Sequence, residues 1–464
     1  MRKREAKEIN RREFLGAAVA GAVVAGAAKT SAAEPRAPRR PNVLFILADD
    51  LGWGDLSCYG RPDYRTPVLD RLAAEGTRFT QAYSASPVCT PTRCAFLTGQ
   101  YPARHAVGLI EPLPWKKQEG GRTGLDPKFP TVASLLRENG YETALVGKWH
   151  LGYLPEYGPL KSGFQEFYGI MSGGADYFTH ADANGDPDFF ENERPVPPER
   201  AGYLTELLTT RAVEYIRRRR TRPFYLSLHY NAPHWPWEGP GDAASMRKPK
   251  RGFDEFRGGG SLKVYAEMVR GMDAGIGRAL EALRAARLER DTLVVFTSDN
   301  GGERFSYNWP FTGGKDELLE GGIRVPAIVR FPGVVPAGRF CEQVAITMDW
   351  TATILSATGT PPDPRHKLDG VDLLPSTQGR GGGAVGAQSE RTLFWRHLNQ
   401  SAVRRGDLKY WHDGTEDHLF DLAADVRENG DLKRERAREF EQLKAEFARW
   451  DNQVLPRKIR GAED

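Results

Sequence analysis

Short apolar runs, regularly spaced and separated by helical patterns, constrain this chain more than any other feature. Residues 42–47 (NVLFIL) are apolar almost throughout, as expected of a strand covered on both faces of a parallel sheet. Similar runs at 141–146, 223–229, 292–297 and 324–330 predict further strands. A helix is expected to open at Thr66-Pro67, with Thr66 as cap and Pro67 in the first turn. Leu69, Leu72 and Ala73 supply its apolar face and Gly76 its stop. Further helices are expected at 132–139, 205–220, 262–287 and 349–358. Helices alternating with buried strands predict an α/β fold, a large, mostly parallel sheet sandwiched by helices. Polar loops fall at 112–128, 177–200 and 239–260.

The texture changes near residue 363. A Gly-rich linker at 379–386 precedes three candidate short strands, 392–395, 401–404 and 408–411. A closing helix then carries Phe440, Leu443, Phe447 and Trp450 on one stripe, the spacing of a core face. Residues 41–362 are thus read as the main domain and 363–464 as a smaller C-terminal α+β domain.

The first 33 residues read as a signal. Arg11-Arg12 leads through Phe14-Leu15 into an apolar run that is too short to span a bilayer, and Ser31-Ala32-Ala33 offers small residues for cleavage. Residues 34–40 follow as a linker. This pattern predicts twin-arginine export, a periplasmic or secreted location and no stable membrane insertion. Residues 1–33 hold seven of the 65 Lys/Arg and three of the 61 Asp/Glu, so 58 of each remain. A neutral mature chain gives no support for nucleic-acid binding driven by global charge. The Arg217–Arg220 run is expected to be the solvated end of the preceding helix. Four cysteines, Cys58, Cys89, Cys94 and Cys341, are too few for a disulfide framework and allow at most one bridge if Cys89 is functional.

In open parallel sheets, ligands lie beyond the carboxyl ends of the strands. Asp49 and Asp50 follow the first strand, Lys148 and His150 the second, His234 the third, and Asp299 and Asn300 the fourth; Lys315 comes one loop later. Oxygen donors from two strand ends suit Ca²⁺, or Mg²⁺ in a tighter and wetter site. Cys89-Thr-Pro-Thr-Arg93 reads as a loop entering a helix, which places Cys89 among free N–H groups that favour an anion.

The stretches NVLFILADDLGWG (42–54), CTPTRCAFLTGQYPAR (89–104), GYETALVGKWHLG (140–152), NAPH (231–234) and SDNG (298–301) resemble the type I, formylglycine-dependent sulfatases of the alkaline phosphatase superfamily. The likeness runs from about residue 40 to the C-terminus. One departure is Thr92, where that family usually has Ser or Ala. The resemblance implies an alkaline-phosphatase-like fold and a sulfuric ester hydrolase acting on a sulfated small molecule or glycan. It implies oxidation of Cys89 to formylglycine by a formylglycine-generating enzyme. It further implies Ca²⁺ held by Asp49, Asp50, Asp299 and Asn300 together with residue 89, Cys89 in this sequence, as a ligand. In the implied roles Arg93 stabilises the aldehyde hydrate, Lys148 and Lys315 clamp the sulfate, His150 takes a proton from the hydrate, and His234 protonates the leaving alcohol. A phosphate or phosphonate ester hydrolase of the same superfamily and a non-catalytic sulfate- or glycan-binding relic are the alternatives. Substrate contacts are expected from loops 105–128, 172–200 and 239–260, with Ser172, Trp115, Trp235, Trp237, Arg396, His397 and His412 as candidates.

Overall fold

The computed structural model describes residues 40–110, 113, 123–197, 202–244, 252–378 and 391–457. The expected signal (1–33), most of the 34–40 linker, the Gly-rich linker and Trp115 lie outside the described residues.

Strands run in chain order β1 (Asn42–Ala48), β2 (Thr77–Phe79), β3 (Ala82–Tyr83), β4 (Glu142–Gly147), β5 (Glu166–Gly169), β6 (Phe190–Glu191), β7 (Arg194–Pro195) and β8 (Phe224–His229). They continue as β9 (Thr292–Ser298), β10 (Ala327–Arg330), β11 (Arg339–Cys341) and β12 (Ala345–Ile346). The helices used below are α1 (Pro67–Glu75), α2 (Cys89–Thr98), α3 (Val132–Glu138), α4 (Leu204–Arg217), α5 (Phe253–Arg257), α6 (Leu262–Ala285), α7 (Glu320–Ile323) and α8 (Thr347–Thr358).

Ten strands form one sheet in the order β11-β2-β10-β9-β1-β8-β4-β5-β6-β7. Its centre, β9-β1-β8-β4-β5, is parallel. Successive residues of β1 point to opposite faces, so its unbroken apolar sequence supplies two cores. Leu44, Ile46 and Ala48 pack with α1, α4 and α6; Val43, Phe45 and Leu47 pack with α2, α3 and α8. The expected sheet sandwiched by helices is the observed one.

Several local expectations shift. The strand expected from 324 starts at Ala327 and runs antiparallel to β9. Thr66 makes no side-chain cap hydrogen bond to α1; Asp273 of α6 instead accepts from the N–H groups of Val68 (3.1 Å) and Leu69 (2.8 Å). The long-range carboxylate replaces the local cap. Helix α4 ends at Arg217, and Arg220 is not solvated: it pairs with Glu142 at 2.6 Å and lies over the Tyr215 ring. All four cysteines are free.

The C-terminal residues form a four-stranded antiparallel sheet, β13 (Thr392–His397), β14 (Gln400–Arg405), β15 (Leu408–His412) and β16 (Asp417–Asp421), backed by a helix at Ala437–Asp451. The fourth strand was not expected, because DHLFD has only two apolar residues; pairing with β15 supplies its order. Leu443 and Trp450 of the predicted stripe are buried, and Phe440 and Phe447 pack beside them. Leu393, Trp395 and Ala402 share a core with Tyr83, Ala95 and Ile346, which joins this sheet to α2 and to the two-stranded β12-β3 sheet.

His105 is a buried base in this frame. Its ring stacks edge-on against Phe129 at 4.6 Å, and neither ring nitrogen has a hydrogen-bond partner among the described residues. Burial lowers its pKa to about 4. A depressed histidine contributes stability that is complete above its unfolded value near 6.5 and is lost as pH falls toward 4. Urea unfolding at pH 7.5 and pH 5 should therefore show the wild type losing on the order of 1–3 kcal/mol more than His105→Phe over that interval; equal losses would contradict this account.

Candidate active site

Register brings the predicted residues together. Ala48 lies beside Ser298, Leu47 beside His229, and His229 beside Gly147. The next residues, Asp49, Asp299 and Lys148, therefore leave the sheet at one level. The turn after β4 requires glycine: Gly147 has φ +120°, and a Cβ there would sit 1.7 Å from the His229 carbonyl oxygen. Asp50 (φ +60°) and His150 (φ +53°) adopt left-handed backbone, a strain of about 1–3 kcal/mol per residue that the surrounding structure sustains.

Cys89 is the first residue of α2, after the extended Val88, and Pro91 falls in the first turn as expected. Thr92, the departure from the family pattern, donates its hydroxyl to the Ser86 carbonyl (3.1 Å) in the turn before the helix. The Cys89 thiol faces Asp49 Oδ1 at 3.4 Å and Asp50 Oδ1 at 3.9 Å. One helical turn on, Arg93 is buried and donates to Asp299 Oδ2 from Nε (3.0 Å) and Nη2 (2.8 Å), and to the Lys148 carbonyl from Nη1 (3.1 Å). Lys148 Nζ meets Asp49 Oδ2 at 2.7 Å, and Lys315 Nζ meets Asp50 Oδ2 at 2.8 Å. Thr90 Oγ1 lies 3.3 Å from both ring nitrogens of His150. His234 Nε2 is 3.6 Å from Asp50 Oδ2, while its Nδ1 bonds the Trp235 carbonyl.

Three carboxylates thus meet three fixed cations. Burial, reinforced by the Asp299 charge, raises Asp49 to about 8. Asp299 is held low because Arg93 and Lys148 outweigh its burial. Burial and the neighbouring carboxylates push the Cys89 thiol up. His150 and His234 are both lowered, first by burial and then by the nearby cations.

Asp49, Asp50, Cys89 and His234 offer ligand atoms within 4.8 Å of one another. The Asp299 and Asn300 side chains adjoin this group: Asp299 Oδ1 accepts from the Asp50 N–H (3.2 Å), and Asn300 Nδ2 donates to Asp50 Oδ1 (2.7 Å). Asn300 Oδ1 is buried with no hydrogen-bond partner among the described residues. A buried acceptor left unpaired beside three carboxylates fits a hard cation bound through oxygen.

Sequence reasoning missed the supports. His229 Nδ1 lies 3.2 Å from the Lys148 carbonyl and 3.4 Å from Arg93 Nη1, beneath the site. Gly173 and Gly174 let the chain pass close to the histidines: a Cβ would come 2.7 Å from His150 or 3.1 Å from His234. Their close approach depends on tertiary contact, so no local pattern announces it. Ser172 turns inward to the Gly174 carbonyl (2.9 Å), and Asp188 holds its N–H at 2.9 Å.

A cavity of about 180 Å³ opens over Cys89, His150, His234 and Lys315. Leu113, Gly173 and Phe253 reach it from the three loops expected to set specificity, and His397 and Leu398 from the second sheet. Trp235 lines it and packs edge-on to Phe253. Trp237 is buried against Phe305; Arg396 pairs with Asp451, and His412 with Asp417.

Among the described residues no helix is long and apolar enough to cross a membrane. The family model described as Sulfatase matches residues 41–360. The chain is 36% identical over 406 residues to N-acetylgalactosamine-6-sulfatase of Canis lupus familiaris, covering 81% of this chain and 72% of that protein. It is 32% identical over 465 residues to steryl-sulfatase of Homo sapiens, covering 82% and 75%. The crystal structure of Ps i-CgsB in complex with k-i-k-neocarrahexaose superposes with a TM-score of 0.80 at 28% identity, over 91% of this chain and 95% of that one. The chain belongs to the sulfatase family, as a type I sulfatase of the alkaline phosphatase superfamily.

Proposed function

We propose that this enzyme hydrolyses sulfate monoesters on a carbohydrate, with residue 89 matured to formylglycine and Ca²⁺ held by Asp49, Asp50, Asp299 and Asn300. The observation that carries the reading is the position of Cys89 at the start of α2, 3.4 Å from Asp49 and beneath a cavity that Lys315 and two histidines also line. Formylglycine supplies a geminal diol, one hydroxyl to attack sulfur and a second to expel sulfate. Calcium supplies positive charge at the attacked group. With the metal holding Asp49 ionised, three carboxylates balance three cations, and the metal's own charge makes the site net positive and receptive to an anion.

The chain's own residues then have distinct tasks. Arg93, locked by Asp299, donates toward the oxygen atoms on residue 89. Lys148 and Lys315 clamp sulfate oxygens as charge develops on them. His150 accepts the proton of the hydroxyl that expels sulfate, and His234 gives a proton to the leaving oxygen. Burial, and then the Lys315 and Lys148 charges, lower the His234 pKa; an anionic substrate between those lysines offsets their charge and favours the proton the acid requires. Maturation by a formylglycine-generating enzyme, and twin-arginine export to the periplasm or beyond, complete the proposal.

Two measurements test it. Purified enzyme should cleave 4-nitrophenyl sulfate and sulfated galactose or galactosamine units faster than the matching phosphate or phosphonate esters; the reverse ranking would favour the other ester class. Chelation should lower kcat by at least about 10²-fold, with Ca²⁺ restoring it better than Mg²⁺. Activity that is indifferent to chelation would remove the metal from the proposal.

A further inference from the structure

The loop that carries Lys315 is held from the second sheet. Thr312 Oγ1 donates to the Arg427 carbonyl (2.7 Å). Gln400, the first residue of β14 beside the β13–β14 turn, donates from Nε2 to the Asp316 carbonyl (2.9 Å) and accepts from the Leu318 N–H at Oε1 (3.0 Å). Farther along, the Glu320 N–H donates to Glu428 Oε2 (2.7 Å). Lys409 of β15, fully buried, lies between the two carboxylates, 3.0 Å from Glu320 Oε1 and 2.7 Å from Glu428 Oε1. The anchors at 312, 316, 318 and 320 thus bracket Lys315.

The catalytic side also ties the loop: Asn308 Nδ2 donates to the Gly313 carbonyl (3.1 Å), and the Tyr83 hydroxyl and Arg324 both donate to Glu320 Oε2. The Lys315 N–H donates to the Gly302 carbonyl (3.1 Å) and the Asp316 N–H to the Pro87 carbonyl (3.1 Å), just before Cys89. The Lys315 side chain meets Asp50, an interaction that an incoming anion competes for. Burying Lys409 with Glu320 and Glu428 is costly unless all three are paired, and a simple core would be stabilised as well or better by apolar residues.

We propose that Gln400 and the buried Lys409–Glu428 pair are positioning residues for Lys315, so that the C-terminal sheet sets the sulfate clamp from outside the catalytic sheet. This rests on the reading of Lys315 as a sulfate ligand. The ammonium sits at the end of a four-carbon stem, and a loop displaced by about 1 Å would cost on the order of ten- to a hundredfold in binding and rate.

The test is a double-mutant cycle on the full chain, read both by kcat/KM for 4-nitrophenyl sulfate and by calorimetric affinity for inorganic sulfate. Gln400 is half-buried beside a turn, so Gln400→Ala removes two hydrogen bonds without opening a core. It should raise KM and weaken sulfate binding about tenfold, with a smaller effect on kcat. In a Lys315→Ala background the same change should add less than about twofold, because the residue it positions is gone. Lys409→Met should show the same pattern wherever it folds; if it does not fold, the Gln400 cycle decides. A tenfold loss that persists without Lys315 would mean general support of the fold and would overturn the proposal. So would a Gln400→Ala enzyme within twofold of wild type. Failure of the wild type itself to turn over sulfate esters would instead count against the sulfatase reading, and the sulfate-affinity cycle would still report on positioning.

Discussion

Cys89→Ser should lower kcat on an aryl sulfate by at least about 10⁴-fold, leaving a protein that folds, binds sulfate and accumulates a covalent sulfate adduct on the new side chain. The site explains the asymmetry between the two steps. A serine hydroxyl at the start of α2 would lie where the thiol now faces Asp49, beside the Lys148–Asp49 and Lys315–Asp50 pairs whose lysines are proposed to bind sulfate. It could attack sulfur once. It lacks the second hydroxyl from which His150 would take a proton, so nothing expels the sulfate. Cys89→Ala should lose the same activity and show no adduct. Intact-protein mass spectrometry after incubation with substrate separates the variants, and the same measurement on the wild-type peptide reads conversion of Cys89 directly. A serine variant that turns over freely would remove the diol from the mechanism.

Arg93→Met is expected to damage both fold and reaction. Arg93 is fully buried and gives two hydrogen bonds to Asp299, whose charge it keeps in the ionised form. Removing one member of a buried pair leaves the other uncompensated, a cost of about 3–5 kcal/mol in urea unfolding. It also removes the buried guanidinium one helical turn from residue 89, with a loss of about 10³-fold in kcat. Adding Asp299→Leu should restore part of the stability by removing the stranded carboxylate, and none of the activity. Additive stability losses in the double variant would mean that the two groups act independently, against the geometry.

Much of this architecture is legible from residue order because it rests on local pattern. Residues 42–47 are apolar at every position but Asn42, and β1 is buried on both faces, so composition and burial say the same thing. The rule that ligands gather at the carboxyl ends of parallel strands then predicts where Asp49, Lys148, His234 and Asp299 should lie, and the register of β9, β1, β8 and β4 puts them there. Features decided at a distance were misread. The cap of α1 belongs to Asp273, more than two hundred residues away, and Arg220 is tied to Glu142 across the sheet.

Residue order alone specifies the class of fold, the place of Cys89 at a helix start and the set of charged groups at the strand ends, because backbone periodicity and short-range motif spacing encode them. Long-range packing alone settles which carboxylate each cation meets, why Gly173 and Gly174 must be small, and that Gln400 bonds the Lys315 loop while Lys409 meets Glu320 and Glu428. Those relations depend on distances between segments far apart in the chain. Side-chain packing and buried electrostatics fix such distances, and neither has a periodicity that a linear reading can detect.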